Sequence, residues 1–180
     1  MTRTWELWGN VIIAGVLALP PAAAVAFLLA RHRARAGHPA PARTALADVG
    51  VVAGTLPWVW MILTPSSGPT GVSLVPFTDL ATLAHEPWQT VSVQVGGNLL
   101  VFAALGALLP VRSARLASLA RVAAVACLAS VTVETLQYAL RLGRHSSVDD
   151  VLVNTLGGVL AALVTHRWWA RRIPARPVPH

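Results

Sequence analysis

The chain contains no lysine: its 14 basic residues are all arginine, set against 7 acidic residues. It has a single cysteine, Cys127, inside an apolar run, which excludes an internal disulfide and a cysteine metal site and leaves packing as its expected role. Charge is scarce as well. Only 12% of the 180 residues are charged while 55% are hydrophobic, where a soluble domain carries about 25% charged residues. A mean hydropathy of +0.61 agrees. These shortages exclude an ordinary soluble domain and point to a chain that crosses a membrane several times.

The lysine-free, alanine-rich composition suits a GC-rich bacterial genome, so the expected location is the bacterial plasma membrane, with the lipid bilayer as first partner. A formal charge of +7 raises the possibility of a nucleic-acid partner. The arginines flank apolar runs, however, and membrane topology explains them better, so no nucleic acid is expected.

Along the chain, the first apolar run goes from Leu7 to Ala30 without a charge. That is about 24 residues, where about 20 suffice to cross a bilayer as helix. Pro20 and Pro21 should kink it. A cleaved signal peptide is the rival reading, but Arg31, Arg33 and Arg35 follow the run, and that charge order favours an uncleaved span. A basic connector over 31–44 follows, then spans over about 46–63, 91–111, 116–140 and 148–166. The second span is followed by a loop over about 65–90 that has no arginine or lysine and is rich in Ser, Gly, Pro and Thr. A loop of about 25 residues is long for a simple connection. Its VSLVPF stretch is apolar enough to dip into the interface or cap a cavity.

Cytoplasmic loops carry the excess of arginine, and about eleven of the arginines fall on one side of this arrangement. Only Arg3, Arg141 and Arg144 fall on the other. The expected fold is therefore all-α: a polytopic bundle of about five transmembrane helices, N-terminus out and C-terminus in, with a long extracytoplasmic loop after the second helix. The tryptophans, Trp5, Trp8, Trp58, Trp60, Trp88, Trp168 and Trp169, fall near span ends, as an aromatic belt requires. Residues 1–45 form a first helix with its connector, 46–170 the main membrane domain, and 171–180 a basic cytoplasmic tail.

Polar residues entering apolar spans mark the candidate site. Asn98, Glu134 and Asn154 each lie about five or six residues inside the outer end of a span, so at 1.5 Å per residue all three sit within roughly 10 Å of the outer interface. Glu134, Gln137 and Arg141 follow i, i+3, i+7 and should share a helix face; Asp150 and Asn154 are i, i+4. Gly157 and Gly158 should let the last helix pack closely. A charge facing lipid near mid-bilayer costs about 2.5–3.5 kcal/mol, so Glu134 should face the bundle interior, with Arg141 or Arg144 as its expected partner. Such a cluster can tie helices together, and it can also line a binding pocket.

The motifs VPF, GNLLVFxxLG, SxxxExxQ and GRxxxxDDVLxNTLGG occur in this order over roughly Leu56 to Ala162. In order and spacing they resemble the VanZ-like membrane proteins, which are associated with bacterial envelopes and, in the namesake, with low-level resistance to the glycopeptide teicoplanin. The shared pattern falls on Pro76, Phe77, Asn98, Phe102, Gly106, Glu134, Gln137, Arg144, Asp150, Asn154 and Gly157. Ser73, Ala104 and Ser147 depart from it.

Composition, topology and resemblance together lead to one principal expectation. The protein binds a lipid-linked cell-wall intermediate, a lipoglycopeptide or another lipophilic envelope ligand through Asn98, Glu134, Gln137, Arg144, Asp150 and Asn154. The alternative is an enzyme acting on an envelope lipid, with Glu134 and Asp150 as acid–base candidates, assisted by His145, and Ser146 or Ser147 as conceivable nucleophiles. A divalent ion among Asp149, Asp150, Glu134 and His145 is conceivable, but no metal and no other cofactor is expected. A transporter ranks last, for want of an inverted repeat or a charge in the cytoplasmic half of the spans. The sequence leaves the oligomeric state open.

Overall fold

The computed structural model describes residues 2–68 and 70–170, with backbone alone for 2–8 and 10–12. The side chains of Arg3, Trp5 and Trp8, and the basic tail 171–180, lie outside the described residues. The chain runs α1 (Thr2–Arg35), α2 (Pro41–Ile62), β1 (Gly71–Ser73), α3 (Thr78–Leu83), α4 (Trp88–Val101), α5 (Ala103–Arg112), α6 (Leu119–Ala139), β2 (His145–Ser147) and α7 (Val148–Val164). A single 3-10 turn, His166–Trp168, follows.

Among the described residues four helical stretches are long and apolar enough to cross a membrane: Ile13–Arg35, Pro41–Ile62, Trp88–Arg112 and Leu119–Ala139. The α7 helix has 17 residues, about 26 Å at 1.5 Å per residue against a hydrocarbon core of about 30 Å. It is thus shorter than the fifth span expected over 148–166. The helix α1 continues unbroken through Pro20 and Pro21. The basic connector shrinks to residues 36–40, because α1 absorbs Arg31, Arg33 and Arg35 and Pro41 already opens α2. Proline suits that first position, since its missing N–H would have had no partner there.

The third stretch is interrupted at Phe102 (φ −113°, ψ 15°), which divides it into α4 and α5. Phe102 is fully buried with Val101, Ala126 and Val133, and Trp58, Val59, Ile62 and Leu63 of the α2 end pack against this cluster. Glycines set the closest approaches. A Cβ on Gly157 would lie 2.0 Å from the Leu99 carbonyl oxygen, and one on Gly106 would lie 2.0 Å from the Gly158 carbonyl oxygen. The expected close packing of the last helix is therefore present, against the α4–α5 pair.

Two features depart from a purely helical bundle. The strands β1 and β2 pair in parallel, with Gly71 opposite His145, Val72 opposite Ser146 and Ser73 opposite Ser147. The long loop is thereby stitched to the α6–α7 turn. At the other end of the bundle, Asp48 of α2 pairs with both Arg33 of α1 (2.5 Å) and Arg112 of α5 (2.6 Å). Two of the arginines that mark the basic side thus share one carboxylate.

Candidate functional site

The site is built where the long loop folds over the α6–α7 turn. The α6 helix closes with Arg141 in the left-handed region (φ 50°), the Arg141 N–H bonding to the Tyr138 carbonyl and the Leu142 N–H to that of Gln137. This is the Schellman arrangement, here with arginine where glycine is usual. Gly143 follows at φ 65°, and a Cβ there would lie 1.9 Å from the Ser66 carbonyl oxygen, so the two segments touch backbone to backbone. The Ser66 N–H bonds to the Leu142 carbonyl at 2.7 Å. Ser147 then caps α7, its hydroxyl accepting the Asp149 N–H at 3.1 Å.

Below this cover lies a cavity of about 360 Å³ between α2, α4, α6 and the start of α7. From α4, Asn98 donates its side-chain amide to the Asp150 carboxylate of α7. From α6, the Glu134 carboxylate accepts the Ser147 N–H at 3.1 Å, while the Glu134 carbonyl accepts the Ser146 hydroxyl at 3.0 Å. Gln137 donates its amide to the Ile62 carbonyl at 2.9 Å. It is only 6% exposed, and its Oε1 has no hydrogen-bond partner. Arg144 donates from Nε to the Thr64 carbonyl and from Nη2 to the Met61 carbonyl, both at 3.2 Å. His145 stands at the rim, its Nε2 3.5 Å from Asp79 Oδ2.

Asn98, Glu134, Gln137, Arg144 and Asp150 therefore line one cavity. Three details differ. Arg144 does not pair with Glu134: it donates to the carbonyl of Met61 in the last turn of α2 and to that of Thr64 just beyond the helix. Arg141 does not continue the Glu134–Gln137 face, because the helix has ended and its backbone has turned left-handed. Asn154 points elsewhere, its amide bonding to the buried Ser130 hydroxyl at 2.8 Å between α6 and α7. Asn154 thus ties helices together and does not line the cavity.

The candidate nucleophiles are also placed. Both serines are buried, the Ser146 hydroxyl spent on the Glu134 carbonyl and the Ser147 hydroxyl on its helix cap. Asp149 is turned away from Asp150 and caps α3, with its oxygens on the N–H groups of Phe77, Asp79 and Leu80. Among the described residues no three His, Cys, Asp or Glu side chains are grouped to hold a metal ion. Gln94, which lines the cavity one turn before Asn98, was missed; its i, i+4 spacing was the available signal.

Chemically the cavity lining carries acceptors: the Glu134 and Asp150 carboxylates, and Gln137, whose buried Oε1 has no partner. Its arginine is already engaged by backbone carbonyls. Four span-length apolar stretches, three of which wall a polar cavity under a loop cover, fit a helical membrane protein. The profile of the VanZ/LLP1 family matches residues 51–169, and the chain belongs to that family. No curated protein and no solved structure matches it significantly.

Proposed function

We propose that this protein resides in the bacterial plasma membrane and binds a lipid-linked or lipophilic envelope ligand in its polar cavity. In this reading α7 completes a five-span topology with the N-terminus outside and the C-terminus inside, so that the cavity opens outward. The ligand's polar part is rich in hydrogen-bond donors: amines, amide N–H groups or hydroxyls. A single observation carries this. Gln137 is nine-tenths buried at the cavity wall with an unpaired Oε1, and a buried acceptor without a donor costs about 1–3 kcal/mol. A donor arriving from a ligand removes that cost, and the carboxylates of Glu134 and Asp150 beside it reward the same chemistry.

The family resemblance makes a contribution to glycopeptide resistance the corresponding cellular role. The test is binding of fluorescent teicoplanin by the purified protein, together with the teicoplanin sensitivity of a susceptible host that expresses it. Saturable binding that weakens at least tenfold in Gln137→Leu and Glu134→Gln, with resistance lost in parallel, is the expected result. Binding unchanged in both variants overturns the assignment to this cavity.

Two carboxylates on one cavity also suit acid–base chemistry on an envelope lipid. Turnover by the purified protein that disappears in Glu134→Gln would establish that second reading.

A further inference from the structure

Glu134 borders a second hollow, of about 480 Å³, and this one is apolar. Its walls include Val72 and Leu74 at β1, Val131 and Tyr138 of α6, and Val151 of α7. The Ser146 and Ser147 oxygens that also line it are both hydrogen-bonded within the turn. One residue therefore separates two environments: a polar cavity lined by acceptors and an apolar groove roofed by the loop.

The groove lies on an exposed apolar side of α6, where Val131 and Tyr138 are 46% and 59% exposed. Val131 lies eight residues before the end of α6, about 12 Å along the axis, inside a membrane-capable stretch. Leu128, one turn before Val131 on the same helix, is 69% exposed. Above it the loop presents Leu74, Val75 and Phe77, all exposed, although its backbone is held by strand pairing and by Asp149. An ordered loop with an exposed apolar tip is placed for the boundary between headgroups and acyl chains.

We infer that the groove holds one hydrocarbon chain of a membrane amphiphile whose polar part enters the adjacent cavity, with Glu134 at the junction. The headgroup half of this inference rests on the function proposed above; the chain half stands on the groove. At about 0.8 kcal/mol per buried methylene, two buried methylenes already amount to more than tenfold in affinity. The inferred ligand is thus read twice, by donors in its head and by a chain reached sideways from the bilayer.

The test uses the full chain in phosphatidylcholine nanodiscs and two probes with the same amine headgroup: glycerophosphoethanolamine and dihexanoyl phosphatidylethanolamine. The chain-bearing probe is expected to bind at least tenfold tighter. Val131→Trp and Val151→Trp, which fill the groove, should abolish that gain and leave the head-only probe unchanged. Leu74→Ser, at an exposed position that cannot unfold a helix, should reduce the gain severalfold. Gln137→Leu should weaken both probes. Equal affinity for the two probes overturns the groove and leaves the polar cavity standing. A gain that persists in all three groove variants also overturns it, since it then reflects partition into bulk lipid. Groove-dependent binding of the chain-bearing probe without head-only binding overturns the polar reading alone. Failure of both probes overturns both.

Discussion

The carboxylate of Asp149, at the start of α7, accepts the backbone N–H of Phe77 at 2.5 Å across 72 positions of sequence. Its second oxygen takes the N–H groups of Asp79 and Leu80, each at 3.0 Å. A buried anion thus closes the first turn of α3, where helix N–H groups lack partners. It also holds Phe77 at a φ of 67°, which is uncommon for a residue other than glycine. Replacing it by Asn keeps the shape and removes the charge and one acceptor. Asp149→Asn should cost roughly 2–3 kcal/mol and expose the 65–87 loop to protease, with both measured on protein in detergent. A loop as resistant as in the parent chain would refute this anchoring role.

The backbone contacts of α7 make a second expectation. Gly157→Ala would drive a methyl group to 2.0 Å from the Leu99 carbonyl oxygen, and rigid backbone on both sides cannot yield cheaply. Overpacking of this kind costs typically 1–3 kcal/mol, so the melting temperature should fall by several degrees. Gly96→Ala, in α4 with nothing within 4 Å, should be neutral or slightly stabilising through helix propensity. Equal melting of the two variants would contradict the close packing.

At the basic end, Asp48 is the shared partner of Arg33 and Arg112. Its side chain is 34% exposed and that of Arg33 16%, so solvent screens the cluster only in part. Asp48→Asn should lower stability by about 1 kcal/mol, with a smaller loss at high salt. Urea or dodecyl sulfate unfolding at low and high salt measures both; a loss independent of salt would point to packing and not to charge.

Cavity chemistry gives the next. Asn98→Ala removes the donor that Asp150 receives, whereas Asn154→Ala removes a bond to Ser130 away from the cavity. Teicoplanin binding should weaken several-fold in Asn98→Ala. In Asn154→Ala the loss should appear in thermal stability, by about 1–3 kcal/mol for the buried Ser130 hydroxyl left alone. Identical behaviour of the two variants would show that cavity and helix tie are not separate.

Orientation is checked by labelling. In a Cys127→Ser background, a cysteine at Ser67 should react with an impermeant maleimide added to intact cells, and one at Gly37 should react only after lysis. The reverse pattern would invert the proposed topology.

Much was legible from the sequence alone. Hydrophobic runs located the helices to within a few residues, because bilayer thickness and backbone hydrogen bonding leave a segment of that length and apolarity few alternatives. Motif order identified the family, and burial cost directed attention to Glu134, Gln137 and Asp150. These follow from one-dimensional properties: length, apolarity, charge and spacing.

What the sequence could not decide was partnership. Arg144 could pair with Glu134 by charge, yet it binds the Met61 and Thr64 carbonyls, which a linear reading does not know are nearby. Asp149 and Asp150 are adjacent and chemically alike, but the helix turns about 100° per residue, sending one to the loop and the other to the cavity. Likewise the 71–73 segment became a strand only because 145–147 lay alongside to accept and donate its hydrogen bonds. The sequence by itself determined which segments are long and apolar enough to enter a membrane and which of their residues would be costly there. Only the tertiary structure decided which pay that cost by tying helices and which remain available to a ligand, because hydrogen bonds are satisfied in space and not along the chain.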